Sequence, residues 1–201
     1  MSINVCNNNS MSAITSLPSG VGGGALNLIS TQTASSSSTI SFTSGIDSTY
    51  KEYIFKFINI HPSGTNRFQF NGSSDSGSNY NVTKTTTIFI AANREQDDDS
   101  TLTYQSGDDL AQSTAFQDLM AYGNQGADND HNFNGTLHLF NPSDTTFVKH
   151  FIANTAHTGQ DDYAVNNFVG GYFNTTSVID AIQFKMTSGT FDGVIKLYGV
   201  S

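Results

Sequence analysis

Residues Gly135 to Ala153 read GTLHLFNPSDTTFVKHFIA: two runs rich in β-branched and aromatic residues flank Asn141-Pro142-Ser143-Asp144-Thr145. Proline fixes its own φ and pushes the residue before it into an extended conformation. Ser and Asp side chains bond back to their own backbone. Two apolar runs joined by so short a polar break form a β-hairpin. With a five-residue loop, Phe140 pairs with Thr146 and Leu139 with Phe147. Leu137, Leu139 and Phe147 then share one face.

The same grammar of strand, polar turn and strand recurs along the chain. Strand-like runs cover Ala25 to Thr33, Thr39 to Thr43, Glu52 to Ile60, Arg67 to Phe70, Thr86 to Ala91 and a short piece around Leu102 and Tyr104. Tyr163 to Phe173 is another, and its Gly170-Gly171 predicts a bulge or a close backbone approach. Val178 to Met186 and Gly193 to Val200 form a final hairpin about Ser188-Gly189-Thr190, so the C-terminal strand is pinned in a sheet. Residues Glu52 to Ile60 are apolar on both faces, which places that strand centrally. Between Asp108 and Tyr122, a helical turn capped by Asp108 or Asp109 and then a strand from Phe116 is expected. Roughly ten short strands with closely spaced turns predict an all-β fold, a single antiparallel β-sandwich of jelly-roll type. Residues 1–24 read as a flexible N-terminal arm, and 25–201 as the sandwich. The arm is uncharged, with Gly20 and Gly22 to Gly24 near its end. Its Ile14, Leu17 and Val21 are the candidate partner-binding residues.

Composition narrows the functional classes. A chain of 201 residues buries enough surface to fold without a disulfide or metal, and Cys6 is its lone cysteine. This fits a reducing compartment. Lys and Arg total 8 against 17 Asp and Glu, a net charge of −9 that repels nucleic acid. No run of 18 apolar residues is present to cross a membrane as a helix, and the first ten residues lack the charge and apolar run of a secretory signal. Charged residues make up 12%, against roughly 25% in ordinary domains, with Ser, Thr, Asn and Gly in their place. Trp is absent, which disfavours sugar stacking, although 8 Tyr remain.

The chemistry-bearing motifs are few. Asp130-His131-Asn132-Phe133-Asn134-Gly135 matches the opening of a calcium loop, but Asn141 stands where a bidentate Glu belongs. Asp128, Asp130, Asn132 and Asn134 are therefore the candidate ligands of a surface calcium, and no other cofactor is expected. In the five-residue-loop register, His138 and His150 lie diagonally on one face; a metal there needs a third ligand from outside the hairpin, for which His157 is the candidate, and the alternative is that these rings hydrogen-bond at a wet sheet face. No G-x-S-x-G elbow or phosphate-binding loop is present. The expectation is that the chain is not an enzyme.

Several stretches resemble a group of small virion proteins of tailed phages, particularly marine ones. They are SLPSG (Ser16–Gly20), LISTQTASSSSTISFTSGIDSTYKEYIFKFINIHP (Leu28–Pro62), GSNYNVTKTTTIF (Gly77–Phe89) and DLAQSTAFQ (Asp109–Gln117). GTLHLFNPSDTTFVKHF (Gly135–Phe151), GYFNTTSVIDAIQFKMTSG (Gly171–Gly189) and the closing IKLYGV (Ile195–Val200) complete the set. The resemblance implies a jelly-roll particle component without catalytic residues. The functional expectation is a bacteriophage structural protein assembled in the host cytoplasm, a head decoration or cement protein that contacts other virion proteins and forms a homo-oligomer. The alternative is a tail-fibre or tail-tip module for host attachment through a surface glycan; a polysaccharide depolymerase ranks behind both.

Overall fold

The computed structural model describes residues 25–201. The proposed arm, with Cys6, Ile14, Leu17 and Val21, lies outside the described residues. Twelve strands appear: β1 (Leu26–Ser37), β2 (Thr39–Phe42), β3 (Glu52–Pro62), β4 (Phe68–Ser73), β5 (Lys84–Arg94), β6 (Ser100–Tyr104), β7 (Gln117–Asp118), β8 (Phe133–Phe140), β9 (Lys149–Thr158), β10 (Tyr163–Phe173), β11 (Ala181–Met186) and β12 (Phe191–Val200). They form an eight-stranded sheet, β1-β12-β3-β8-β9-β10-β5-β6, and a four-stranded sheet, β2-β11-β4-β7. All ladders are antiparallel.

The pairing identifies the jelly roll. Set aside the two hairpin insertions, β5-β6 and β9-β10, and eight strands remain. The first of these pairs with the last, β1 with β12, the second with the next to last, β2 with β11, then β3 with β8 and β4 with β7. Apart from β4 and β7, which pair in the small sheet at the closed end, successive strands alternate between the sheets, as in a long hairpin wrapped around a core. The insertions then extend the larger sheet beyond β8.

Alternation explains the core. In β3, Tyr53, Phe55 and Phe57 point inward and are buried, while Ile54, Lys56 and Ile58 point outward. Phe184 of β11 lies 5.2 Å from Phe55 and from Phe57, and 5.8 Å from Phe68. Phe70, Phe151 and Phe173 continue this aromatic layer between the sheets. Each such ring contributes about 1.5–3 kcal/mol by burial, with edge-to-face contacts adding about 0.5–1.5 kcal/mol. The central place of β3, between β12 and β8, agrees with its two apolar faces.

Three local expectations need correction. The 135–153 hairpin forms, but Leu139 pairs with Phe151 rather than Phe147. Its loop runs from Asn141 to Val148 because Asn141 adopts φ 46° and the Asp144 carboxylate accepts from the Thr146 and Phe147 amides at 2.6 and 2.7 Å. Phe147 is thereby left 70% exposed. The helical turn after Asp108 does not form. Asp108 pairs instead with Arg67, and the chain runs along β5, exchanging backbone bonds between Lys84 and Ser113. Only Gln117–Asp118 of the strand expected from Phe116 is a strand. Finally, β11 and β12 do not pair: the turn at Ser188–Thr190 carries the chain from the small sheet to the large one.

Candidate functional site

The outer face of the eight-stranded sheet is the most unusual surface of the molecule. Of the exposed large hydrophobic side chains among the described residues, only Phe147 is elsewhere; Leu26, Leu28, Phe89, Leu102, Tyr104 and Ile152 point outward from this sheet, 42–75% exposed. Strand register lines them up. One row runs Tyr104–Phe89–Phe168–Asn154–Thr136–Lys56–Lys196–Thr31 across all eight strands. Its β6-side half is aromatic, with Phe89 and Phe168 stacked at 4.8 Å and 9°. Its other half sets Lys56 directly opposite Lys196. Among the described residues neither lysine has an ion-pair partner, although the chain is strongly acidic. Like charges facing each other across a ladder cost stability.

Two shallow depressions flank the aromatic ridge. One, about 450 Å³, has Ala91, Ala156 and Ala164 on its floor and Asn93, Asn134 and Asn166 among its rim. The other, about 510 Å³, lies over Gly170 and Gly171 between Tyr172, His150 and Ile152. The expected close approach at the glycine pair is real and needs no bulge: a Cβ on Gly171 would lie 2.6 Å from Thr85 O and 2.8 Å from Phe151 Cζ.

The histidines separate. His138 and His150 remain diagonal on the outer face, since His138 pairs with Ile152. His138 Nδ1 lies 2.6 Å from Glu52 Oε1, and His150 packs on Tyr172. His157 alternates to the inner face, where Asn167 Nδ2 donates to its Nδ1 at 3.1 Å. Burial holds its pKa down to about 4, so the ring is neutral near pH 7. Because it faces inward, on the opposite side of β9 from His150, it cannot complete a site with the other two.

Of the four calcium candidates, Asp128 and Asp130 come together with buried His131, their ligand atoms within 4.8 Å of one another. Asn132 and Asn134 are drawn away. Asn134 Oδ1 accepts from the Asn59 amide at 2.8 Å, and Asn134 Nδ2 donates to Asn132 Oδ1 at 3.3 Å. Strand β8 begins at Phe133, so Asn134 belongs to a ladder rather than to a calcium loop.

One polar cluster had no visible signal in the sequence. Arg67 bonds Asp108, Asp118 (3.3 Å) and Asn124 (2.9 Å), while Gln69 donates to Asp118 at 2.6 Å. Burial pushes the Asp118 carboxyl up, against the pull of Gln69 and Arg67. These contacts tie residues 108–124 to β4, and their partners are too far apart in the chain for spacing to reveal them.

Comparisons with models of known protein families, with curated proteins and with solved structures return no match. Among the described residues, no helix is long and apolar enough to cross a membrane.

Proposed function

We propose that this chain is a non-enzymatic structural protein of a tailed-phage particle, a head decoration or cement protein. It assembles with other virion proteins in the host cytoplasm and works as a homo-oligomer. The observation that carries this reading is the outer face of the eight-stranded sheet. Large exposed apolar patches on a soluble surface mark contact sites. Here the patch sits on a rigid sheet, with aromatics on one half and unpaired lysines on the other. Its best occupant is a second copy of the chain, because each half supplies what the other lacks. The likeness of seven stretches to small phage virion proteins supports the particle assignment.

Cryo-electron microscopy of particles from the phage encoding the chain, with the protein labelled, tests it. Ordered copies on the head are expected. A tail position, or absence from purified particles, would overturn the decoration reading.

A second reading, host attachment through a glycan, is favoured by the two depressions. An alanine or glycine floor admits a sugar ring closely, and the Asn rim or the Tyr172 and His150 rings supply hydrogen bonds and stacking. Adsorption of the purified protein to host cells, blocked by soluble host polysaccharide, is its expected signature.

A further inference from the structure

We propose that Asp128, Asp130 and His131 form a binding site for a divalent transition-metal ion of the zinc class. The three residues lie in the connection between β7 and β8, close to the start of β8. The segment is fixed on both sides. Gln125 exchanges backbone bonds with Asn66 and donates its side-chain amide to Ile60 O at 2.9 Å, and Asn132 O accepts from the Thr158 amide at 3.2 Å. Between these anchors Asp128 O accepts from the His131 amide at 3.0 Å and from His61 Nε2 at 3.0 Å. The turn thus places both carboxylates beside one imidazole.

The histidine distinguishes this cluster from solubilising loop charge. The His131 side chain is 5% exposed, and its Nδ1 has no hydrogen-bond partner. Its Nε2 faces Asp130 Oδ1 at 3.8 Å, too far for a hydrogen bond. Nδ1 lies against Gly126, so Nε2 is the nitrogen turned toward the carboxylates, and an ion held between it and them would give Nε2 a partner and offset the charge of the two Asp side chains. One nitrogen and two carboxylates are three ligands for zinc, with a fourth position left for water. Calcium takes oxygen ligands alone, so the imidazole selects against it. Gly126 makes room for the ring: a Cβ there would stand 2.2 Å from His131 Nδ1.

Isothermal titration of the chelator-treated full chain with zinc chloride and with calcium chloride tests the site. One zinc per chain is expected, with a rise in the melting midpoint and no comparable response to calcium. Asp130→Asn changes an exposed ligand and leaves the fold intact, so it should weaken zinc at least about 100-fold. His131→Gln should do the same if it folds, whereas Asp161→Asn, on the β9–β10 turn, should bind as the parent does. Gly126→Ala should weaken zinc by displacing the ring. Failure of the parent to bind zinc would overturn the proposal. So would calcium binding of equal strength, or zinc affinity unchanged by Asp130→Asn.

Discussion

At the scale of single residues, a buried lysine sets the most direct test of the fold's energetics. Lys84 is fully buried on the inner face of β5, and its Nζ donates to Asn71 Oδ1 at 2.8 Å. Among the described residues no carboxylate pairs with it. Burial alone brings its pKa down from 10.5 to about 7. Between these two values the unfolded chain binds the proton and the folded chain does not, so stability rises as pH climbs from about 7 towards 10.5. Below about 7 the full cost of the buried charge is present. His157 adds a term of the same sign at lower pH, because its depressed pKa makes stability fall as pH drops from 6.5 towards 4. Lys84→Met keeps the stem and removes the charge; Asn71 Oδ1 still accepts from the Gly72 amide at 2.8 Å. The variant is expected to be more stable than the parent by about 1–3 kcal/mol at pH 6 and to lose that advantage by pH 10. Urea melts at both pH values measure it. None of this was visible in the run TKTTTIF: a lysine at a strand start reads as solvent-facing, and only the ladder places it inward.

At the scale of elements, β10 carries a paired test of what its two glycines do. Gly170 points to the outer face, where an added Cβ would meet nothing closer than Thr87 Cγ2 at 3.6 Å. Gly171 points inward, where a Cβ would collide with Thr85 O, Phe151 and Thr86 within 2.9 Å. Gly171→Ala should therefore cost about 1–3 kcal/mol, and Gly170→Ala should leave the denaturation midpoint nearly unchanged. Chemical denaturation of the two variants side by side checks the contrast, and equal losses would show that strand propensity rather than space governs the pair. The glycine pair was legible because close approach needs no partner identity. The 135–153 loop was only half legible: Asn-Pro announced a break, but Asp144 bonding two successive amides lengthens it by local chemistry that a strand pattern does not contain. Residues 108–116 were misread because Asp108 has two uses, a helix cap or an ion pair with Arg67, and the choice depends on a residue 41 positions away.

At the scale of the whole molecule, period-two alternation made the fold class readable, and the central place of β3 followed from its two apolar faces. The assignment of strands to sheets was less accessible, because the Ser188–Thr190 turn looks the same whether it joins paired strands or crosses between sheets. The proposed contact surface was hidden for a related reason: its residues sit in rows that exist only once the insertions β5-β6 and β9-β10 extend the large sheet. Those rows also specify how two copies would meet. A two-fold axis parallel to the strands, lying between two facing sheets, reverses the strand order of one copy relative to the other. Phe89 then comes over Lys196, and Phe168 over Lys56, twice in each dimer. Such an isologous contact replaces lysine–lysine repulsion with cation–π attraction worth about 0.5–2 kcal/mol per pair. Sedimentation equilibrium should accordingly show a dimer. Lys56→Gln with Lys196→Gln, or Phe168→Ala alone, should weaken it at least about tenfold, ~1.4 kcal/mol. Lys185→Gln should not, because Lys185 lies on the small sheet against Phe116. A monomeric parent, or a dimer indifferent to both face variants, would remove self-association as the use of this face.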